Sequence, residues 1–476
     1  MSAPLAAWLG ATLLIGLGGS AARAEAPCVR LTRAGTQVQG DVRVCPGRYR
    51  IADPTERGVL IAAASGTRID LAGVTIESGD SVAENFVGVG IASRGVDGVT
   101  VLGGQVRGYR FGVRLEGGRN HRLSGLEVSG SRRQQLRSTA ERADTLDRLD
   151  VVRPESIDRY GGGVLLQGTV GVSITGVRSR GAQNGIGLVD ASYSYLADND
   201  LSGNSGWGVH LYHASHNTIV RNDASRTRRC AAADCGAVAI LVREGSDSNT
   251  IAENDLTLSS IGVLLTGRPP AGRPSVGNLV FRNDASLATV AGFAARRTWR
   301  VTFLDNRADS ATVGFYLVRL SGSLVRGNTV IGAKRAAIEI VHGGETGVEA
   351  NVLLGAPVGI RITAPDTGVA PSRGFWIDDN MLGGVGQGVG LRGITGSRVR
   401  GNVFDGVGAG LVVDGTGHGT EVTGNVFLRA TGWFIDAPDL VAGGNYWATA
   451  DASHAAARVR GRVSVLPWRP ASAAGY

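Results

Sequence analysis

The stretch Gly208-Val209-His210-Leu211-Tyr212-His213, followed by Asn217-Thr218-Ile219 and then Asn222, shows the pattern that decides the fold. It consists of a small residue, an apolar, a variable and an apolar residue, two variable residues, a polar turn, a second apolar segment and an asparagine. The same pattern begins again upstream at Gly185 and downstream at Gly292, and uninterrupted neighbours lie 22 to 24 residues apart. A period in this range, in a chain with 73 glycines and no heptads, indicates a stacked repeat.

The rhythm of side chains inside the repeat identifies the type of solenoid. Apolar residues at the second and fourth positions have a period of two, which is typical of a short strand with one buried face. Thirteen such starts occur, at Gly88, Gly112, Gly163, Gly185, Gly208, Ala239, Gly262, Gly292, Gly314, Ala337, Gly359, Gly388 and Gly410. The recurring asparagines are expected to stack as an amide ladder, and they are Asn199, Asn222, Asn254, Asn283, Asn306, Asn328, Asn351, Asn380, Asn402 and Asn425. The sequence therefore predicts an all-β chain, a right-handed parallel β-helix roughly 60 Å long at about 4.8 Å per coil.

The two ends of the chain differ from the repeats. Residues 1–24 read as a secretory signal, with an apolar run too short to span a membrane and a cleavage site at Ala22-Arg23-Ala24. We expect residues 25–87 to form the N-terminal cap and first coils, residues 88–447 the β-helix, and residues 448–476 the C-terminal cap and tail. No other stretch approaches about 20 apolar residues, so no membrane span is predicted. Export predicts a periplasmic or secreted location.

Export also gives the four cysteines a meaning. Cys28 and Cys45 flank the first strands, and Cys230 and Cys235 close a small loop, so two local disulfides are the simplest pairing. Metal binding is the rival interpretation, but neither pair has the two-residue spacing of a common zinc site. A structural role is expected.

The charge of the chain points to an acidic partner. The formal net charge is +8, and Lys334 is the only lysine, so the basic side chains are otherwise arginines. The planar guanidinium group pairs with carboxylate, sulfate or phosphate, which favours an acidic polysaccharide as partner. The competing interpretation is a soluble surface that carries both signs. Nucleic acid is disfavoured by export and by the absence of a contiguous basic run with interleaved aromatic residues.

Insertions mark where the regular coil is interrupted. About 30 extra residues, 131–160, precede Gly163, and a shorter insertion carries the loop from Cys230 to Cys235. Both are expected to leave the rod at the corner just before the strand that defines the repeat. Two insertions of about seven residues, at 268–274 and 365–373, leave from the corner after that strand.

The predicted register allows outward side chains of neighbouring coils to be aligned. At the sixth position, Asp190, His213 and Glu244 fall on three consecutive coils about 4.8 Å apart, and Tyr212 and Arg243 occupy the fifth position. A histidine between two carboxylates is a candidate acid–base group, so these five residues are the candidate catalytic set. The outward residues taken as substrate-binding are His210, Arg296, Arg297 and Arg319. The competing interpretation is a solvated polar face.

No metal or other cofactor is expected. His210, His213 and His216 have a spacing that suits a metal, but His210 points outward from a strand and His216 lies past the turn.

The repeats resemble those of a known group of right-handed β-helix proteins with the pectin-lyase-like fold. The group includes mannuronan C5-epimerases, secreted carbohydrate-acting proteins, and periplasmic proteins that assist copper insertion into nitrous-oxide reductase. The resemblance covers about residues 60–447, and Asn445-Tyr446-Trp447 is similar to the closing motif of the copper-assisting proteins. Ala448-Thr449-Ala450 follows it where that family usually has Ser-Asp-Tyr, and the Asp-Pro-His signature of the epimerases is missing. Neither family's active residues are carried over.

Two classes of function remain open. The first is an enzyme, a polysaccharide lyase or uronate C5-epimerase, in which His213 takes a proton beside a carboxylate and Tyr212 donates one. Arg243 or Arg296 would neutralise the substrate carboxylate, and Asp190 or Glu244 would orient the imidazole. The second is a non-catalytic periplasmic rod that binds glycan or assists another protein, as in copper-site maturation.

Overall fold

The computed structural model describes residues 27–149, 156–231, 234–267, 273–364, 372–415, 419–448 and 452–467. The predicted signal segment 1–24 lies outside the described residues. So do parts of all four predicted insertions and the end of the predicted tail.

The chain winds into a right-handed parallel β-helix in which each coil contributes strands to three faces, and every strand pairing described is parallel. Face A begins each repeat and is one continuous ladder. Its strands are Thr36–Val38, Leu60–Ala62, Val89–Arg94, Phe111–Glu116, Gly162–Gln167, Asn184–Val189, Trp207–Tyr212, Val238–Arg243, Ile261–Thr266, Ala291–Arg296, Val313–Ser321, Ala336–Glu349, Val358–Thr363, Gln387–Arg392, Ala409–Asp414, Ile435–Val441 and Val459–Ser464. Twelve of the thirteen predicted starts lie in a strand of this face at the same repeat position. The start predicted at Gly88 is wrong by two residues, because the parallel register aligns Gly90 with Gly112.

Face B follows face A after a turn that we call the A–B corner. Its strands are Asp41–Arg43, Arg68–Asp70, Thr100–Leu102, Arg122–Ser124, Ser173–Thr175, Tyr195–Ala197, Thr218–Val220, Thr250–Ala252, Leu279–Phe281, Thr302–Leu304, Leu324–Arg326, Ser372–Asp378, Arg398–Arg400 and Glu421–Thr423. The end of Ala336–Glu349 also pairs within this face. Short strands at the corner are Ser275–Val276, Thr298–Trp299 and Ile394–Thr395.

Face C closes each coil. Its strands are Gly47–Arg50, Val74–Glu77, Gln105–Arg107, Thr329–Ile331, Val352–Leu354, Met381–Gly383, Val403–Asp405 and Val426–Phe427, and single bridges connect the two groups. Helical structure is limited to the α-helices Ser156–Tyr160 and Ala452–Ala456 and the 3-10 helices Ala83–Asn85 and Thr145–Asp147 within the described ranges.

The core fills the inside of the coil as the repeat predicts. Val209 and Leu211, at the second and fourth positions, are completely buried among their counterparts from neighbouring coils. The small residue at the first position has a steric cause. A Cβ built on Gly208 would lie 2.6 Å from the carbonyl oxygen of Ala239 in the next coil, so a larger side chain would push the coils apart.

The predicted asparagine ladder is confirmed and continues by one residue to Asn445. The Oδ1 atom of each asparagine accepts two hydrogen bonds from the preceding one, as Asn306 does from the backbone N–H of Asn283 at 3.0 Å and from its Nδ2 at 3.1 Å. A second, shorter ladder of Asn217, Asn249 and Asn278 lies at the A–B corner. The ladders satisfy backbone groups that the turns would otherwise leave buried and unpaired.

Replacing one ladder asparagine should be costly. Asn306→Ala leaves the buried N–H of Asn283 without its acceptor, and we expect a loss of about 3 kcal/mol in the free energy of unfolding. Asn85→Ala, at an exposed position, is the control and should change it by less than about 0.5 kcal/mol. Chemical denaturation of both variants measures the difference, and equal stabilities would show that the ladder does not stabilise the coil.

Candidate functional site

The sixth position of the repeat is the first residue of the A–B corner. Six coils place an ionisable side chain there with a left-handed backbone, namely Asp190, His213, Glu244, Arg297, Arg319 and His342, with φ between 22° and 57°. Gly267 and Ala364 occupy the same position without a positive φ. Histidine and aspartate tolerate this conformation better than most residues. Backbone hydrogen bonds connect these residues to the next coil, His213 N–H to Glu244 O at 3.3 Å and Asp190 N–H to Tyr212 O at 3.0 Å. The geometry therefore brings Asp190, His213 and Glu244 together on three adjacent coils.

His213 and Asp190 form a contact that suits proton transfer. The Nδ1 atom of His213 lies 3.3 Å from Oδ1 of Asp190, and both side chains are exposed. The His213 ring also stacks on Tyr212, with ring centres 4.0 Å apart. The described contacts of the Glu244 carboxylate do not include the imidazole. Of the two carboxylates considered from the sequence, Asp190 is the one in position to orient His213.

Three other candidates lie below the surface. Arg243 is 2% exposed with its Cζ atom 5.2 Å from the centre of the Tyr212 ring, Tyr212 itself is buried, and His210 is 0% exposed. Their positions in the register are as predicted, because all three belong to face A. A polymer on the surface does not reach a side chain at this depth. The expectations that Arg243 and His210 contact substrate and that Tyr212 donates a proton to it are not carried forward.

The insertion 131–160 explains part of this burial, because it packs on the outer surface of face A. Leu149 and Tyr160 join an apolar cluster with Trp207, and the Tyr160 and Trp207 rings meet edge to face at 6.0 Å. Ile157 occupies the space above Gly187, where any Cβ would overlap it. The insertion is therefore part of the folded structure rather than a loop that only frames the surface.

The second insertion holds the first one in place. Arg229 is buried, donates to the backbone oxygens of Asp147 and Ser205, and donates to Oε1 of Gln134 at 2.7 Å. Burial lowers the pKa of the Arg229 guanidinium to about 10, so it remains charged at neutral pH. The two predicted disulfides, Cys28–Cys45 and Cys230–Cys235, are both confirmed, and Cys230 follows Arg229 directly.

An exposed arginine lies beside the His213–Asp190 pair. A Cβ built on Gly245 would be 3.5 Å from the Cδ2 atom of His213 and 3.8 Å from the Cβ atom of Arg273, so the two side chains flank this glycine. The Arg273 guanidinium lies 3.3 Å from the carboxylate of Asp247. Arg273 came within an insertion in the sequence, where no register assigns a direction to a side chain, and it was missed for that reason.

A cationic patch continues the same corner further along the rod. Arg297 and Arg319 are neighbours in the sixth-position column, and Arg296 and Arg300 lie on either side of Arg297. None of these four guanidinium groups forms an ion pair with a described carboxylate, whereas most arginines nearby do. Arg296 lies over the Tyr316 ring, and Trp299, 50% exposed, stands within the patch. Sequence reasoning found Arg296, Arg297 and Arg319 but missed Arg300 and Trp299, which lie past the strand.

The fold and the disulfides define this chain as an exported parallel β-helix protein, and comparisons with known proteins agree. A family profile described as "Periplasmic copper-binding protein (NosD)" matches residues 67–269, which is less than half of the chain. This match confirms the resemblance drawn from the repeats and bears out the periplasmic or secreted location. None of the curated proteins matches the chain. Among the described residues, the helices are all too short or too polar to cross a membrane.

Several solved structures are similar to this chain at low sequence identity. The A-module of mannuronan C-5 epimerase AlgE6 from Azotobacter vinelandii is 13% identical over 82% of this chain and 91% of its own, with a TM-score of 0.43. The surface adhesin PfbA of Streptococcus pneumoniae is 11% identical over 83% of this chain and 84% of its own, with a TM-score of 0.41. The catalytic domain of a GH87 alpha-1,3-glucanase is 11% identical over 79% of this chain and 70% of its own, with a TM-score of 0.46.

The described residues do not fit a resident copper ion, which the description of the matching family implies. All four cysteines are in disulfides, so no thiolate is available, and the single methionine in the described ranges is Met381 on face C. No group of three or more His, Cys, Asp or Glu side chains in those ranges has metal-binding geometry. Soft thiolate and thioether ligands are what Cu(I) prefers.

The buried His210 makes stability depend on pH. Burial, and then the charge of Arg243, hold the pKa of His210 well below its usual value near 6.5. Below about pH 6.5 the imidazole of His210 binds a proton in the unfolded chain but not in the folded chain. The free energy of unfolding is therefore retained above that pH and falls below it, by up to about 1.4 kcal/mol per pH unit.

His210→Leu should remove this acid sensitivity, since Leu241 and Leu264 occupy the same column in the next two coils. His454→Leu, at an exposed histidine, is the control and should keep the wild-type profile. Denaturation between pH 4 and pH 8 measures the profiles, and an unchanged slope in His210→Leu would contradict the burial of a neutral imidazole.

Proposed function

We propose that this protein is an exported β-helix that binds an acidic polysaccharide along the A–B corner. The observation that carries the proposal is the patch of Arg296, Arg297, Arg300 and Arg319, four guanidinium groups on two adjacent coils without ion pairs among the described residues. Guanidinium groups pair with carboxylate or sulfate through two parallel hydrogen bonds. The regularly spaced negative groups of an acidic polysaccharide are complementary in charge to the neighbouring guanidinium groups of this patch.

Electrostatics favour an anionic occupant of this patch. Two like charges a coil apart repel each other by about 1 kcal/mol even at the dielectric constant of water, and the repulsion grows when solvent is excluded. A bound polyanion would relieve that repulsion. The exposed Trp299 adds an apolar surface on which the ring of a sugar can rest while its charged group meets an arginine.

Arg297→Gln combined with Arg319→Gln should weaken binding of polygalacturonate or polymannuronate by about tenfold for each arginine, because each removes a charge-assisted pair. The remaining affinity should depend less on salt concentration. Calorimetric titration with each polymer, and with neutral dextran for comparison, measures the effect.

Arg429→Gln is the matched control for this test. It removes the same charge from face C, where Arg429 is paired with Asp405 at 2.6 Å and 2.8 Å. We expect wild-type affinity in this variant. An equal loss there would mean that only the net charge of the rod attracts the polymer, and the corner would then not be the site.

The His213–Asp190 pair extends the proposal from binding to chemistry. In a lyase, His213 would take the proton on the carbon beside the carboxylate, and the electron pair would form a carbon–carbon double bond. The bond to the glycosidic oxygen on the next carbon would break, and the leaving oxygen would take a proton from water. In an epimerase, a proton would return to the same carbon from the opposite side. Arg273, next to His213, is the exposed arginine that can neutralise the carboxylate. It takes the role that the sequence suggested for Arg243.

If the pair is catalytic, His213→Ala and Asp190→Asn should each abolish turnover of polyuronates while binding and the melting temperature stay nearly unchanged, because both side chains project outward from the core. The ultraviolet absorbance of the unsaturated product and the change in uronate composition by NMR are the two measurements. Full turnover in His213→Ala would exclude it as the base, and absence of turnover in the wild type would leave a binding protein.

A rod that assists copper-site maturation is the second candidate. The observation that favours it is the profile match to residues 67–269. Because the described residues offer no copper ligand set, such a role would depend on docking to the client protein rather than on carrying the ion.

A further inference from the structure

Two exposed aromatic rings are stacked at the A–B corner near the His213–Asp190 pair. Tyr193 is 63% exposed, His216 is also exposed, and their rings are parallel within 7° with centres 4.9 Å apart. Each follows a member of the pair by three residues in its own coil. Nothing in the binding or chemistry described so far uses these two rings.

The backbone position of the two rings is one that favours glycine. Tyr193 and His216 have φ of 56° and 60°, and the same turn position is glycine in other coils, at Gly171, Gly277 and Gly322. Polar residues occupy it elsewhere, namely Asn120, Ser248, Arg300 and Glu345. A bulky side chain with a left-handed backbone is strained, whereas glycine is not. The chain therefore carries aromatic side chains at two neighbouring positions of a turn that holds glycine or a polar residue in these other coils.

The surroundings leave a ring face open. Gly171 precedes Tyr193 in this column and has no side chain, so no column neighbour covers the outer face of the tyrosine ring. Because the ring centres are 4.9 Å apart while carbon atoms in contact lie about 3.5 to 4.0 Å apart, the two nearly parallel rings are offset rather than stacked squarely. One aromatic face is thus turned to solvent beside polar ring edges, which suits a sugar with an apolar face and hydroxyl groups at its rim.

The cationic patch lies on the same corner, three coils further along. His213, Glu244, Gly267 and Arg297 occupy successive coils, a distance of about 14 Å at roughly 4.8 Å per coil. The exposed Arg273 lies between the two ends. A ligand that touches both the rings and the arginines must run parallel to the axis of the rod.

We propose that Tyr193 and His216 form an aromatic stacking subsite for a linear acidic polysaccharide, separate from the arginine patch and about 14 Å from it along the A–B corner. This inference rests on the proposed function and adds to it the shape of the ligand. The polymer is linear, lies along the rod, and places a sugar next to the His213–Asp190 pair, which lies on the same two coils as the rings. A short oligomer can occupy one subsite only, whereas a long one occupies both.

The test compares a polymannuronate trisaccharide with a decasaccharide on the full-length protein. Tyr193→Gly should weaken binding of the decasaccharide by about tenfold and leave binding of the trisaccharide at the arginine patch unchanged. Its melting temperature should stay the same or rise, since glycine relieves the left-handed strain. A purely structural tyrosine would lower the melting temperature instead. Tyr193→Phe, which keeps the ring, should retain most of the affinity.

Trp433→Ala, at an exposed aromatic residue near the C-terminal end, is the control and should bind both oligomers like the wild type. Unchanged decasaccharide binding in Tyr193→Gly, with a loss in Arg297→Gln, would overturn the stacking subsite and leave the proposed function intact. An equal loss for both oligomers in Tyr193→Gly would also overturn it, because the rings would then belong to the same subsite as the arginines. If Arg297→Gln too binds both oligomers like the wild type, the proposed function fails as well.

Discussion

Every feature of this protein depends on the hydrogen-bonded stacking of one coil on the next at a fixed register. The asparagine ladder enforces it, because from Asn222 through Asn445 each Oδ1 atom accepts hydrogen bonds from both the backbone N–H and the Nδ2 group of the preceding asparagine. A slip of one residue would break all of these bonds and turn every apolar side chain outward. With the register fixed, any position of the repeat becomes a column of side chains parallel to the axis.

The A–B corner is the column that can vary most without disturbing the core. Its side chains point away from the coil, and its left-handed backbone is satisfied by hydrogen bonds to the next coil. Glycine adopts a left-handed backbone without steric strain, whereas any other residue at this position adds strain that the packing of the core must offset. The corner contains Tyr193, His213, His216, Arg297 and Arg300 within a few coils. Left-handed residues other than glycine also occur at the other corners, as at Asp198 and Arg221, so the backbone alone does not distinguish this edge. The exposed aromatic rings and the arginines without described ion pairs are what favour it as a surface for recognition.

The sequence was sufficient for whatever follows from the repeat itself. Twelve of the thirteen strand starts, the burial of Val209 and Leu211, and the amide ladder were predicted from the period of two and the fixed spacing. The exception is Gly88, where two glycines two residues apart fit the same pattern and Gly90 is the one in register. The column of Asp190 and His213 followed from the same register, and the structure adds their contact.

The structural features that could not be predicted from the sequence lie outside the repeat. The alternation of side chains along the strand predicts that His210 points outward. It does not predict that the insertion 131–160 packs on the same outer surface, and for this reason His210, which was expected to contact substrate, is buried. Arg273 lies in an insertion, where no register applies. Tyr193 and Trp299 lie past the strand, in turns whose direction depends on the left-handed residues beside them. These positions are set by tertiary packing and by turn geometry, which periodicity does not encode.

The A–B corner is the surface proposed to bind an acidic polysaccharide. Hydroxyl-radical footprinting with and without polymannuronate tests it most directly, because three exposed aromatic residues report on different places of one molecule. We expect the polymer to protect Tyr193 and Trp299 from oxidation and to leave Trp433, near the C-terminal end of the rod, unprotected. Protection of Trp433 alone, or equal protection of all three residues, would contradict the claim.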